Sequence, residues 1–251
     1  MEKVQYTMLN YYPNIGLNDD CLTLGILYYN QQTQDRKFVY VDNFQRLKQF
    51  DDEIDTSFIK MYLEGIKDDV ENIKLENISF NVKQYTKFFV NNLSFGEIIE
   101  VEVESFDNFV DESYKVILRL NLSPEDRPTK EAVDKFLWKR FRAVDIEYKR
   151  NEKVVGKFDE NISFSYCIGR IGIKIFQMTP NNLSYQINHI KSWFYNVKEL
   201  KDQKKVIFVY DFEGLEKSDV SNVIKLLKSD ENIPVYDFNN FIQNFEQICS
   251  S

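Results

Sequence analysis

The residues of this chain that could act on a substrate are few, and most stand in its second half. Asp159 and Glu160 precede the run ISFSYCI, and Lys174 and Gln177 stand in the next run, RIGIKIFQ. Two carboxylates with a lysine could hold Mg²⁺ for phosphodiester hydrolysis, because that ion takes hard oxygen ligands and a carboxylate is normally among them. Asp159 and Glu160 lie ahead of their strand rather than within it, so such a site would need rearranged geometry. Asp211 and Glu213 follow the apolar strand VIFVY and are expected where the chain turns outward. His189 is the only histidine. A Cys/His zinc site is therefore excluded, and histidine acid–base chemistry would have to run through this one residue. It falls on a helix beside Ile190 and is read as structural. Cys21, Cys167 and Cys249 fit neither a disulfide framework nor a CxxC site. Cys21 and Cys167, in apolar runs, are expected to be buried and inert. No Walker-type loop, GxGxxG, GxSxG or HExxH occurs.

A second chemistry is electrostatic. Trp138–Lys139–Arg140–Phe141–Arg142 interleaves cations with aromatics, and Lys135, Lys153 and Lys157 flank it. Lys135, Lys139, Arg140, Arg142, Lys153 and Lys157 are the candidates for contact with a nucleic-acid backbone. Glu131 and Asp134 on the same helix fit a solvated basic face equally well. The charge is also divided: residues 1–125 hold 12 Lys+Arg against 22 Asp+Glu, whereas 126–251 hold 20 against 18. An acidic first half repels nucleic acid, whereas the second half could tolerate it.

These groups must be positioned by a mixed α/β framework. Strands are expected at Val4–Tyr11, Cys21–Tyr29 and Phe38–Val41. A helix follows, with Ile54, Phe58, Ile59, Tyr62, Leu63, Ile66, Val70 and Ile73 at helical spacing. Glu100, Glu102 and Glu104 alternate with Val101 and Val103, the pattern of a strand wet on one face. Ser105 opens another helix. NLSPEDRP, Asn121–Pro128, reads as a boundary, giving an acidic α+β domain over 1–122 and an α/β domain over 129–251, with mixed sheets flanked by helices. The second begins with a helix, Thr129–Ala143, and continues with Asp145–Phe158 as a hairpin or long strand and with strands at Ile162–Ile168 and Arg170–Phe176. Then come a helix Leu183–Leu200, the strand Val206–Tyr210, a helix Ser218–Leu227, a strand Pro234–Tyr236 and a last helix. Met1–Asn10 lacks the pattern of a signal peptide, and no apolar run is long enough to span a bilayer. A cytoplasmic, non-membrane protein is expected.

The element order of the second half resembles the PD-(D/E)xK nuclease core, which implies a metal held by an acid on the second strand and an acid-x-Lys on the third. Here Ser163 and Ser165 occupy the second strand, and Gly172 stands two residues before Lys174. The resemblance implies a scaffold that has lost its chemistry and kept a binding surface. The rival is a nuclease using Mg²⁺ at Asp159, Glu160, Lys174 and Gln177. VIFVYDFEG is similar to the opening DxE of the DnaQ-like exonucleases, but only 38 residues remain to supply further carboxylates. The opening YTMLNYYPNIGLNDDCLTLGILYYN resembles a family of uncharacterised bacterial and prophage proteins, through Tyr6, Leu9, Tyr11, Pro13, Gly25 and Ile26. FQRLKQFD, NNLSF and FSYCIGRIGI continue the likeness, with Ser165 and Ile168–Gly169 departing from it. That family implies a setting in phage–bacterium conflict. The resulting expectation is a binding or inhibitor protein without cofactor. It would occupy a protein surface, a nucleoprotein defence complex among them, or nucleic acid through the C-terminal half. An acidic first half imitating nucleic acid suits that role. A scaffold forming homodimers is the third reading.

Overall fold

The computed structural model describes residues 1–13, 21–72, 80–123, 126–143, 147–212, 215–245 and 248, with backbone alone at 120, 130, 140, 142, 143, 217 and 243. The chain divides into two units, Met1–Ala143 and Val144–Ser251. The first contains β1 (Glu2–Tyr11), β2 (Leu22–Asn30), β3 (Arg36–Tyr40), α1 (Gln45–Phe50), α2 (Thr56–Asn72), α3 (Val82–Thr86), β4 (Leu93–Phe95), β5 (Ile99–Val103), α4 (Phe106–Ile117) and α5 (Lys130–Ala143). Its sheet is antiparallel throughout. β1 pairs with β2, and β2 with β3, while β5 and β4 share the other side of β1 end to end, along Glu2–Tyr6 and Leu9–Tyr11.

Successive strand residues point to opposite faces, and Tyr28 and Tyr29 show what covers each. Tyr28 packs against Tyr6 and Phe109 of α4, and its buried hydroxyl is hydrogen-bonded to Ser113 at 2.9 Å. Tyr29 meets Phe80, from which Tyr85 and Phe89 lead to Phe95. On β5, Ile99, Val101 and Val103 are buried while Glu100 and Glu102 are exposed, as their alternation predicts. The boundary differs from expectation. Val133, Phe136, Leu137 and Phe141 of α5 are buried, and α5 packs on α4 and β5. The helix expected to open the second domain therefore belongs to the first unit, because its apolar stripe is covered there.

The second unit contains β6 (Lys149–Arg150), β7 (Lys153–Val155), β8 (Asn161–Ser163), β9 (Tyr166–Ile168), β10 (Ile171–Met178), α6 (Leu183–Leu200), β11 (Lys205–Phe212), α7 (Lys217–Leu227), β12 (Val235–Asp237) and α8 (Phe238–Gln243). The sheet order is β12-β11-β10-β9-β6. β10, β11 and β12 are parallel, joined through α6 and α7, while β9 pairs antiparallel with β10 on one side and with β6 on the other. The run expected as one strand over Ile162–Ile168 is two. β8 pairs with β7 as a hairpin and β9 joins the main sheet. Between them Phe164 lies over Gly172, where an added Cβ would meet its ring at 2.4 Å. Ile190 and Trp193 of α6 pack with Phe176, Phe208 and Leu227 in the core, and α8 packs on β11 and β12. The whole is an α/β protein with mixed sheets flanked by helices. Among the described residues, no helix is long and apolar enough to cross a membrane.

Candidate functional site

The four residues of the expected cation site do not converge. Asp159 is exposed in a left-handed conformation (φ 62°) at the tip of the β7–β8 hairpin. Glu160 curls back over Gly156, accepting a hydrogen bond from the Phe158 N–H at 2.9 Å. It is also paired with Glu199 near the end of α6. The backbone N–H of Glu160 itself, then the Glu199 carboxyl, hold Glu160 below the usual carboxylate range, and the hydrogen bond to Glu160 raises Glu199. Lys174 and Gln177, three residues apart on β10, project to opposite faces of the sheet. Among the described residues, no group of three His, Cys, Asp or Glu side chains is placed to hold a metal ion. Asp211, expected where the chain turns outward, is buried within β11 and lies opposite Gln177 in the ladder. Glu213 lies outside the described residues, as does Cys249. Cys21 is half-buried rather than buried. Cys167 is buried, and burial with the neighbouring Glu152 pushes its thiol up to about 12, which leaves it unreactive.

The basic helix is partly committed to its own unit. Lys139 and Lys135 of α5 both reach Glu112 of α4, at 2.6 and 3.7 Å. The Lys139 hydrogen bond holds the Glu112 carboxyl low. Arg140 and Arg142 share that helix, their side chains outside the described residues. Lys153 and Lys157 are exposed around the β7–β8 hairpin, so the six candidates are split between the two units.

Lys174 occupies an unexpected place. It stands between Gly172 and Phe176 on the side of β10 that faces α6, half-buried where an apolar residue would ordinarily pack. Its ammonium lies 5.0 Å from the centroid of the Trp193 ring and 3.4 Å from the Ser163 carbonyl oxygen. The Trp193 indole donates to His189 Nε2 at 3.1 Å. That bond requires a lone pair on Nε2 and so places the neutral ring's proton on Nδ1. Burial, then the charge of Lys174, lower the His189 pKa. One turn earlier, Tyr185 lies parallel to the His189 ring, with centroids 5.7 Å apart at 12°. Tyr185 is 66% exposed. The sequence singled out Lys174 and His189 but not Trp193 and Tyr185. The available signal was helical spacing: Tyr185, His189 and Trp193 are each four residues apart.

A second unusual surface lies on α2. Asp55 caps the helix, accepting from the Ser57 and Phe58 N–H groups. Ile59, Leu63, Ile66 and Val70 enter the core. Phe58 and Tyr62, expected on that same buried face, remain 54% and 39% exposed, and Met61 beside them is 62% exposed. Phe58 stacks on Tyr62, Tyr62 meets Phe89, and Phe88 and Val90 of the following loop are also exposed. Gly65 continues the stripe with open space around it, and Asp68 and Asp69 end it, both exposed. Isolated surface apolar residues are ordinary, whereas a contiguous group marks an interaction site.

Compared with known proteins, the chain matches no family model, no curated protein and no solved structure.

Proposed function

We propose that this chain is a non-enzymatic, cytoplasmic binding protein that acts by covering the surface of a protein partner in phage–bacterium conflict. The observation that carries the binding role is the exposed Phe58–Met61–Tyr62 stripe, continued by Phe88, Phe89 and Val90. Aromatic and methionine side chains are the types enriched at interface centres. The stripe belongs to a unit with 18 Lys+Arg against 25 Asp+Glu, which favours a partner with apolar anchors inside a basic rim. The conflict setting rests on the resemblance of the opening segment to prophage proteins.

The test is affinity capture from the native host with the full chain, beside Phe58→Ser/Met61→Ser/Tyr62→Ser, with bound proteins quantified. A partner held by wild type and lost by the triple variant, at an unchanged melting temperature, supports the reading. Equal capture by both proteins overturns it. Sedimentation equilibrium should give a monomer; a dimer abolished by the triple variant would make the partner a second copy instead. Cleavage of plasmid or single-stranded DNA with Mg²⁺ or Mn²⁺, lost in both Lys174→Ala and Asp159→Ala, would replace binding by catalysis.

A further inference from the structure

We infer that Tyr185 on α6, backed by His189, Trp193 and Lys174, is a stacking site for a base of single-stranded nucleic acid. The surface belongs to the second unit and the α2 stripe to the first, and each is tested by its own variants, so the two readings stand or fall independently.

The ring of Tyr185 is held before any ligand arrives. It lies parallel on His189, and His189 is fixed by the hydrogen bond from Trp193, whose ring packs on Phe164 and Phe208 in the core. A base that covers the outer face of Tyr185 therefore meets a ring already supported from behind. Stacking on such a ring tolerates any base, since each presents a π face. A duplex keeps its bases stacked internally and offers no free face, so the geometry selects single strands.

Charge on the helix points the same way. From Leu183 to Lys198, α6 contains Lys191 and Lys198 and no carboxylate, and its exposed residues include Ser184, Asn188, Ser192 and Tyr195. Lys198 lies near Asp230 and is partly neutralised. Lys191, exposed on the same helix, is the cation for a phosphate flanking a base on Tyr185. The Glu160–Glu199 pair stands at the far end of the helix, roughly 21 Å from Tyr185 along the axis, and does not oppose an anion there.

The test uses the full chain with short labelled oligo(dT), oligo(rU) and a duplex of matching length, followed by anisotropy at low and physiological salt. The two oligomers distinguish DNA from RNA as the natural ligand. Single strands should bind in preference to duplex. Tyr185→Ala should weaken them roughly tenfold, whereas Tyr185→Phe should stay within about twofold, because stacking needs the ring and not the hydroxyl. Lys191→Gln should reduce the salt dependence. Since Tyr185 is exposed, its variants should melt with wild type. No single-strand binding at micromolar protein, equal binding of the duplex, or an affinity indifferent to Tyr185→Ala would each overturn the assignment.

Discussion

Two helices of this protein carry a stacked aromatic pair one turn apart, and the pairs are anchored differently. On α2 the rings of Phe58 and Tyr62 lie 6.3 Å apart and connect sideways to Phe89; on α6 those of Tyr185 and His189 lie 5.7 Å apart and connect inward through Trp193. The α2 pair is an outer layer over a helix whose burial is already complete through Ile59, Leu63, Ile66 and Val70. The α6 pair is the outermost part of a continuous aromatic column that ends in the core. On α2 both rings can therefore be removed without touching the core, whereas on α6 only the outermost ring, Tyr185, is separable from stability and Trp193 is not.

The strongest way to break this contrast is to remove one ring from each helix. Trp193→Ala should cost about 3–5 kcal/mol in urea denaturation, because Trp193 is 2% exposed and leaves a cavity. Phe58→Ser should change stability by no more than about 0.5 kcal/mol. Similar losses at both positions would show that α2 is packed as deeply as α6.

The glycines sharpen the same contrast at smaller scale. Gly172→Ala drives a Cβ to 2.4 Å from the Phe164 ring and should destabilise by about 1–3 kcal/mol. Gly65→Ala meets nothing within 4 Å and should stabilise by about 0.5–1 kcal/mol through helix propensity. Opposite signs for one chemical change would separate a close approach in the core from an open helix surface.

The smallest effect expected is on pH. His189, the only histidine, has its pKa lowered by burial first and by Lys174 second. The unfolded chain then binds the proton more readily than the folded one. Its contribution to stability is complete above about pH 6.5 and is lost as pH falls through the folded value. An imidazole titration by NMR should show a midpoint below about 6.5, and Lys174→Gln should move it upward. A midpoint at or above the ordinary value would place His189 outside the column.

Much of the framework was legible from residue patterns. The alternation of Glu100 and Glu102 with Val101 and Val103 follows from a single period, and the helix expected over Leu183–Leu200 is observed at those bounds. The misreadings have physical causes. At 100° per residue the apolar side chains of α2 cover an arc of roughly 200°, of which the four buried ones take roughly 60°. Spacing alone merges two faces that packing separates. The helix α5 follows a proline-rich segment, but composition marks a loop and cannot say which core covers the next stripe. The face of β10 on which Lys174 falls is set by Phe164 packing over Gly172, a contact between strands that no local pattern announces. Glu160 meets Glu199, 39 residues later, for the same reason.

The way β4 and β5 divide one side of β1 has a further consequence. A long, flat strand at the border of a sheet is a template on which another chain can add, and aggregation begins there. Here that border is cut into pieces of three and five residues, and the longer one turns Glu100 and Glu102 toward solvent. Copies approaching along it find short, interrupted backbone ladders and like charges. A protein can display an apolar stripe on a neighbouring helix at high concentration only if its sheet does not recruit its own copies.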